Sequence, residues 1–131
     1  MDEIKRQPGS LELAFLGDTI YDYFIRRHLL VEGGSMKALQ NAASHRVCAH
    51  AQSEVLACVE EDLTQEEKDV VRRARNTKQH PPKNADPAEY QRATGLEALL
   101  GWLSIRGDAA RIEEIMLLAV QKTDEINKKE I

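Results

Sequence analysis

The stretch LAFLGDTIYDYF, residues 13–24, places one carboxylate, Asp18, in the most apolar part of the chain. Residues three and four positions apart lie on one face of an α-helix, so Asp18 shares a face with Ala14 and Tyr21. Gly17 directly precedes it, and the small side chains leave room beside the carboxylate. Burying a carboxylate without a partner costs several kcal/mol. The stretch therefore predicts a helix whose buried or half-buried carboxylate has a partner.

Capping signals divide a helical pattern that extends over nearly all of the chain. Ser10 and Ser35 are residue types that cap helix N-termini, and Gly33 is of the type that ends helices. The sequence DPAE, residues 86–89, is the strongest start signal because an Asp cap precedes Pro and Glu at their favoured positions. The predicted helical regions are about residues 11–30, 35–61 with one break near Ser44 or Ser53, 64–75, 87–105 and 108–126.

The remaining patterns favour a single all-α domain. No run rich in Val, Ile and Thr alternates with polar residues as a strand would, so the expected fold is all-α with about five to seven helices. A length of 131 residues favours one domain, which we expect to span residues 1–131 with a core at about residues 10–126. Hydrophobic residues make up 42% and charged residues 31%, a balance typical of a folded globular protein.

The sequence carries no sign of export or membrane insertion. No apolar run approaches the ~20 residues that a transmembrane helix needs. MDEIKRQPGS, residues 1–10, lacks the apolar core of a signal peptide, so we expect a cytoplasmic protein. Cys48 and Cys58 lie ten residues apart without a CxxC pattern, which favours reduced thiols over a disulfide or a zinc site.

Charge is distributed unevenly along the chain. The net charge is −4, but residues 72–92 contain six Lys or Arg against two Asp or Glu, a local balance of +4. The rest of the chain therefore carries −8. Pro81 and Pro82 exclude a helix over residues 76–86, where we expect an extended loop. This basic segment is either a contact site for a polyanion or an exposed, solvated loop, and charge alone favours the loop.

A second carboxylate, Glu97, lies in a similar setting on the helix that starts at DPAE. Its neighbours on the same face include Ala93, Thr94 and Gly101, which are small. A hard cation such as Mg²⁺ prefers oxygen ligands and needs only one or two protein carboxylates. Two such carboxylates on two helices therefore indicate a possible acidic metal site. The alternative is an ion pair between each carboxylate and an arginine, with these candidates: Arg26, Arg27 and Arg92.

Two motifs resemble those of a known family. LAFLGDTIYDYFIRRHLL, residues 13–30, resembles the first signature of the ribonuclease III family, which centres on Leu-Gly-Asp in an apolar helix. TGLEALLGWL, residues 94–103, resembles its second signature, and the similarity extends over roughly residues 10–120. RRARNTKQHPPKN, residues 72–84, is similar to the basic loop of Mini-ribonuclease III, the short bacterial form that lacks a double-stranded RNA-binding domain.

The resemblance implies an activity and a site. It implies an all-helical homodimer that cleaves double-stranded RNA with Mg²⁺, or Mn²⁺ in its place, and leaves 5′-phosphate products. The family role would be maturation of ribosomal RNA at the ends of the large-subunit precursor. By position, Asp18 and Glu97 would be the catalytic acids and would both bind the metal ion. Where the full-length family has two further acids, this chain has Ala14 and Thr94, as the short form does.

The basic loop is the expected RNA contact, because it must compensate for a missing RNA-binding domain. Basic side chains would contact backbone phosphates, and amides would contact phosphates or 2′-hydroxyl groups. The candidate RNA-binding residues are Arg72, Arg73, Arg75, Asn76, Lys78, Lys83 and Asn84. Asp22 and Thr94 are candidates for outer-sphere contacts to the metal, although Asp22 could instead be an exposed acid or a partner of Arg26.

Two other functions compete with the nuclease hypothesis. One is a catalytically weak or silent module of the same fold that only binds double-stranded RNA, since two acids of the full-length pattern are missing. The other is a helical protein–protein adaptor with buried structural acids, which would bind neither RNA nor metal. Cleavage of a plain RNA duplex with Mg²⁺, and its loss in Asp18→Asn, would separate the first of these from the nuclease.

Overall fold

The structure is a computed structural model that describes residues 2–130, with the backbone only for residues 129 and 130. Within residues 2–130 it contains six α-helices and no strand, and a single 3₁₀ turn, Glu60–Asp62, follows the third helix. The all-α prediction is therefore confirmed. The helices are α1 Ser10–Glu32, α2 Met36–Val47, α3 Ala49–Val59, α4 Gln65–Asn76, α5 Pro87–Ile105 and α6 Ala109–Glu130.

Side-chain caps start most of the helices as the sequence predicts. Ser35 Oγ accepts a hydrogen bond from a backbone N–H in the first turn of α2, and Asp86 does the same for α5. The prediction that Ser10 caps α1 is wrong. Gly9 occupies the cap position, and its N–H donates to the carboxylate of Glu12 at 3.1 Å, so Ser10 is already helical.

The helix ends and breaks are set by backbone conformation. Gly33 and Gly107 have φ angles of +76° and +74°, a left-handed conformation that costs glycine little and lets the chain turn sharply after α1 and α5. The break in the second helical region falls at Cys48, where ψ is 160°, rather than at Ser44 or Ser53. Helix α6 continues to residue 130 instead of ending at about residue 126.

Helix α5 forms the centre of the fold. Helices α1, α3, α4 and α6 all pack against it, which requires apolar or small residues on nearly every side. Its fully buried leucines are Leu96, Leu99, Leu100 and Leu103. Each contributes roughly 1.5–3 kcal/mol relative to an exposed side chain. None of the helices in residues 2–130 has both the length and the apolar character that a membrane span requires.

The backbones of α1 and α5 touch at two glycines. A Cβ atom at Gly17 would lie 1.6 Å from the carbonyl oxygen of Glu97, and one at Gly101 would lie 2.0 Å from that of Leu13. Gly17 meets Glu97, and Leu13, four residues earlier on α1, meets Gly101, four residues later on α5. The two helices therefore run antiparallel. The space that Gly17 leaves is therefore filled by α5. This close approach brings Asp18 to the segment that carries Glu97.

Candidate active site

Asp18 and Glu97 line one cavity of about 370 Å³ at the junction of α1, α3 and α5. The sequence-predicted pair, 79 residues apart, is thus brought together. Asp18 lies on α1 directly after Gly17, and Glu97 lies on α5 opposite that glycine, so the backbone contact determines how close they are. Gln52 from α3 and Gln79 from the loop after α4 line the same cavity.

The two carboxylates differ in exposure. The prediction that Asp18 is buried or half-buried is wrong, because its side chain is exposed at the cavity rim. Asp18 directly follows Gly17, the buried residue at which α1 touches α5. Glu97 is half-buried, because α5 is enclosed on most sides. A negative charge therefore costs more desolvation free energy at Glu97 than at Asp18.

The environment of Glu97 raises its pKa to about 8 from an ordinary value of 4.5. Burial is the largest cause, since it disfavours the charged form. A hydrogen bond and charge repulsion from the nearby carboxyl of Asp18 raise the pKa further, and the amide of Gln52 opposes the shift by donating to the carboxylate. Asp18 thus acts electrostatically on Glu97 across the cavity that both side chains line.

The arginine partners that the sequence offered are all engaged elsewhere. Within residues 2–128 no Lys, Arg or His side chain forms an ion pair with Asp18 or Glu97. The three candidates have these partners: Arg26 binds Asp22, Arg27 donates to the Tyr23 hydroxyl, and Arg92 donates to the Ser53 carbonyl. The ion-pair alternative is therefore contradicted for both acids.

The two outer-sphere candidates lie in different places. Asp22 pairs with Arg26 at 2.9 Å on the α1 surface and does not line the cavity, so it is not part of the proposed site. Thr94 does line the cavity. Its hydroxyl is 2.7 Å from Gln79 Oε1 and 3.0 Å from the Tyr90 carbonyl, both acceptors for its proton.

The basic segment divides into paired and unpaired side chains. Arg72 contacts Asp69 at 3.2 Å, and Arg75 contacts Glu60 at 3.6 Å, so part of their charge is neutralised within the protein. The remaining candidates are all exposed, and the basic ones form no ion pair with the described side chains: Arg73, Asn76, Lys78, Lys83 and Asn84. Gln79 ties the loop to α5 through Thr94 and to the end of α4 through the Ala74 carbonyl at 3.3 Å.

Two cavity residues, Gln52 and Gln79, were not found from the sequence. Gln52 is a polar residue among the apolar positions of α3, a pattern that could have marked it as buried. Nothing in the pattern indicates that it faces Glu97. Gln79 lies in an irregular loop, where neither helical nor strand spacing predicts a contact.

The chain is similar to known proteins over most of its length. Residues 11–108 match the family model described as the ribonuclease III domain. The chain is 46% identical over 111 residues to a Mini-ribonuclease 3 of Symbiobacterium thermophilum, covering 83% of this chain and 85% of that protein. It is 38% identical over 128 residues to a Mini-ribonuclease 3 of Enterococcus faecalis, covering 95% and 97%.

The chain belongs to the ribonuclease III family. A crystal structure of a Fusobacterium nucleatum protein has the same fold, with a TM-score of 0.83 and 32% identity over 89% of this chain and 97% of that one. Ribonuclease III proteins act on double-stranded RNA and generally depend on a divalent metal ion.

The donor set at the cavity suits such an ion. Within the described residues no group of three or more His, Cys, Asp and Glu side chains is placed to hold a metal. A cluster of that size is not required, because Mg²⁺ keeps several waters and needs only one or two carboxylates. Asp18 and Glu97 supply these, and neither forms an ion pair with a described Lys, Arg or His side chain. The ribonuclease III cavity is thus compatible with a partly hydrated Mg²⁺.

Proposed function

We propose that this chain is a Mg²⁺-dependent endoribonuclease that cleaves double-stranded RNA. The observation that carries the proposal is the convergence of Asp18 and Glu97 in one cavity, where no cationic side chain of residues 2–128 forms an ion pair with either. A pair of carboxylates in this state favours a divalent cation, and membership of the ribonuclease III family supplies the substrate class. Mn²⁺ would substitute for Mg²⁺, since both accept oxygen ligands.

Asp18 on α1 and Glu97 on α5 would hold the ion in the cavity that both line. When bound, Mg²⁺ lowers the pKa of a coordinated water and neutralises charge that develops on a phosphodiester. Both side chains must be ionised to act as ligands, so Glu97 has to release its proton as the ion binds. With water as the nucleophile, the bond from phosphorus to the 3′ oxygen breaks, which gives a 5′ phosphate and a 3′ hydroxyl.

The exposed basic residues near the cavity support an RNA-binding role for the loop. Lys78 and Lys83 lie on the loop that Gln79 fastens to the cavity wall. Arg73 faces solvent at the end of α4. Contacts from these side chains would go to phosphates, which position a duplex but do not identify its sequence. We therefore expect weak sequence preference and binding that depends strongly on salt.

A second copy of the chain is the proposed partner of α1. Phe15 is 83% exposed and lies at the edge of the cavity. Leu11, Ile4 and Ile105 are also exposed and line an adjoining groove along the N-terminal segment. Apolar surfaces of this kind mark interaction sites. A homodimer through this face would place two acidic sites near each other, and its two-fold symmetry matches the pseudo-two-fold of a duplex.

Three further properties belong to this proposal: the extent of the domain, the location of the protein and its physiological substrate. We infer one catalytic domain over residues 1–131, a cytoplasmic location, and a ribosomal RNA precursor as the physiological substrate, cut at the ends of the large-subunit RNA. These inferences rest on the resemblance to Mini-ribonuclease III. Analysis of large-subunit precursor ends in cells that lack the protein would test the substrate, since unprocessed ends are expected.

A catalytically silent RNA-binding module is the second candidate function, because Ala14 and Thr94 stand where the full-length pattern has acids. Incubation with a long RNA duplex, with and without Mg²⁺, separates the two. The nuclease proposal expects fragments with 5′ phosphates only when Mg²⁺ is present. Binding without fragments across Mg²⁺ and Mn²⁺ concentrations would instead support the silent module.

A further inference from the structure

Gln52 is a buried amide at the wall of the Asp18–Glu97 cavity. Its side chain is 2% exposed, and its Nε2 donates to two acceptors. One is the Val47 carbonyl at 2.9 Å, at the break between α2 and α3, and the other is Glu97 Oε2 at 3.3 Å. Gln52 thus links the helix break to one of the two acids.

The orientation of this amide follows from its partners. The Val47 carbonyl can only accept a hydrogen bond, so the nitrogen must point toward it. Gln52 Oε1 is then buried and has no hydrogen-bond partner among the described residues. A buried acceptor without a partner costs free energy and calls for an explanation at a functional site.

A purely structural role explains only part of this arrangement. Satisfying the Val47 carbonyl at the helix break needs one donor and no contact with Glu97. The second contact, from Nε2 to Glu97 Oε2, is explained if the amide holds this carboxylate in the orientation that a metal ligand needs.

We propose that Gln52 is a positioning residue of the metal site, which orients the Glu97 carboxylate through the hydrogen bond from Nε2. The inference rests on the proposed function. The neutral amide would compensate in part for the two acids of the full-length family pattern, at whose positions this chain has Ala14 and Thr94. Groups that orient metal ligands in this way typically change metal affinity ~10–100-fold when they are removed.

Mn²⁺ binding to the protein without RNA tests the proposal by calorimetry or electron paramagnetic resonance. Gln52→Met keeps the length of the side chain but removes both polar atoms, and we expect its Mn²⁺ dissociation constant to rise ~10-fold. The control is Ser53→Ala, the neighbouring buried polar residue, which should bind as the wild type does. Gln52→Asn, too short to reach Glu97, should match Gln52→Met and decides the outcome if that variant does not fold.

The outcomes distinguish this inference from the proposed function. If the wild type binds Mn²⁺ and Glu97→Gln does not, the metal site stands. Unchanged Mn²⁺ affinity in folded Gln52→Met or Gln52→Asn, with only a lower melting temperature, would then overturn the positioning role alone. If the wild type fails to bind Mn²⁺ at any concentration tested, both proposals fall.

Discussion

At the scale of single residues, the protonation of Glu97 links the site to stability. The pKa of Glu97 is about 8 in the folded protein, whereas the ordinary value of 4.5 applies to an unfolded chain. Between these values the folded state binds more protons than the unfolded state, so the free energy of unfolding falls as pH rises. Each pKa unit corresponds to ~1.4 kcal/mol, and the partial exposure of the group reduces the effect to a few kcal/mol at most.

We therefore expect metal-free protein to lose stability between pH 5 and pH 8, and Glu97→Gln to lose much less. Urea denaturation in the presence of a chelator at several pH values measures this difference. The comparison with Glu97→Gln cancels the contribution of the histidines. Parallel curves for the two proteins would mean that Glu97 titrates as an ordinary carboxyl.

Capping residues were predictable because their interactions are local, but longer-range contacts were not. Asp86 fixed the start of α5 at the predicted residue, since its carboxylate bonds N–H groups two and three positions ahead. Ser10 is not the cap because α1 begins one residue earlier than predicted, with Gly9 in the cap position and Ser10 already helical. The pairing of the acids with each other, rather than with arginines, depends on tertiary contacts that a single sequence does not specify.

At the scale of helices, the α1–α5 contact should tolerate no side chain at Gly17. A methyl group there would lie 1.6 Å from the Glu97 carbonyl oxygen, so the helices would have to separate. We expect Gly17→Ala to lower the free energy of unfolding by more than ~3 kcal/mol, in the range of severe core defects. Denaturant unfolding measures this, with Gly9→Ala as control, where the added methyl meets only a carboxylate oxygen at 3.8 Å. Similar stability of the two variants would contradict the close contact.

The basic loop should contribute unequally to RNA binding. Lys78 and Lys83 are unpaired within the described side chains, whereas Arg75 is partly neutralised by Glu60. If each lysine contacts a phosphate, its replacement by alanine lowers the salt slope of duplex binding by about one unit. Arg75→Ala should change the slope less. Binding of an RNA duplex by a Glu97→Gln background at several salt concentrations measures these slopes, and equal slopes for all proteins would remove the loop from the interface.

Gln79 connects the loop after α4 to the cavity that contains Asp18 and Glu97. Its amide bonds Thr94 and the Ala74 carbonyl, so the loop is held beside the cavity rather than left free. This anchoring was not predictable, because the spacing of residues in an irregular loop does not indicate which of them face a helix.

At the scale of the whole molecule, the exposed apolar face of α1 should determine the oligomeric state. Phe15→Asp places a charge on that face, at its 83% exposed phenylalanine, and is expected to convert a dimer to a monomer. Light scattering after size-exclusion chromatography measures the mass. Leu117→Asp, an exposed apolar residue on α6, is the matched control and should remain dimeric. A wild-type monomer, or a dimeric Phe15→Asp, would contradict the proposed interface.

The shared role of the two acids is tested most directly by cleavage of a long RNA duplex by the wild type, Asp18→Asn and Glu97→Gln, each with and without Mg²⁺. We expect the wild type to produce fragments only with Mg²⁺, and each variant to lose at least ~100-fold in rate while it still binds the duplex. Cleavage by either folded variant at the wild-type rate, or cleavage by the wild type in a chelator, would contradict a cation held between these two side chains.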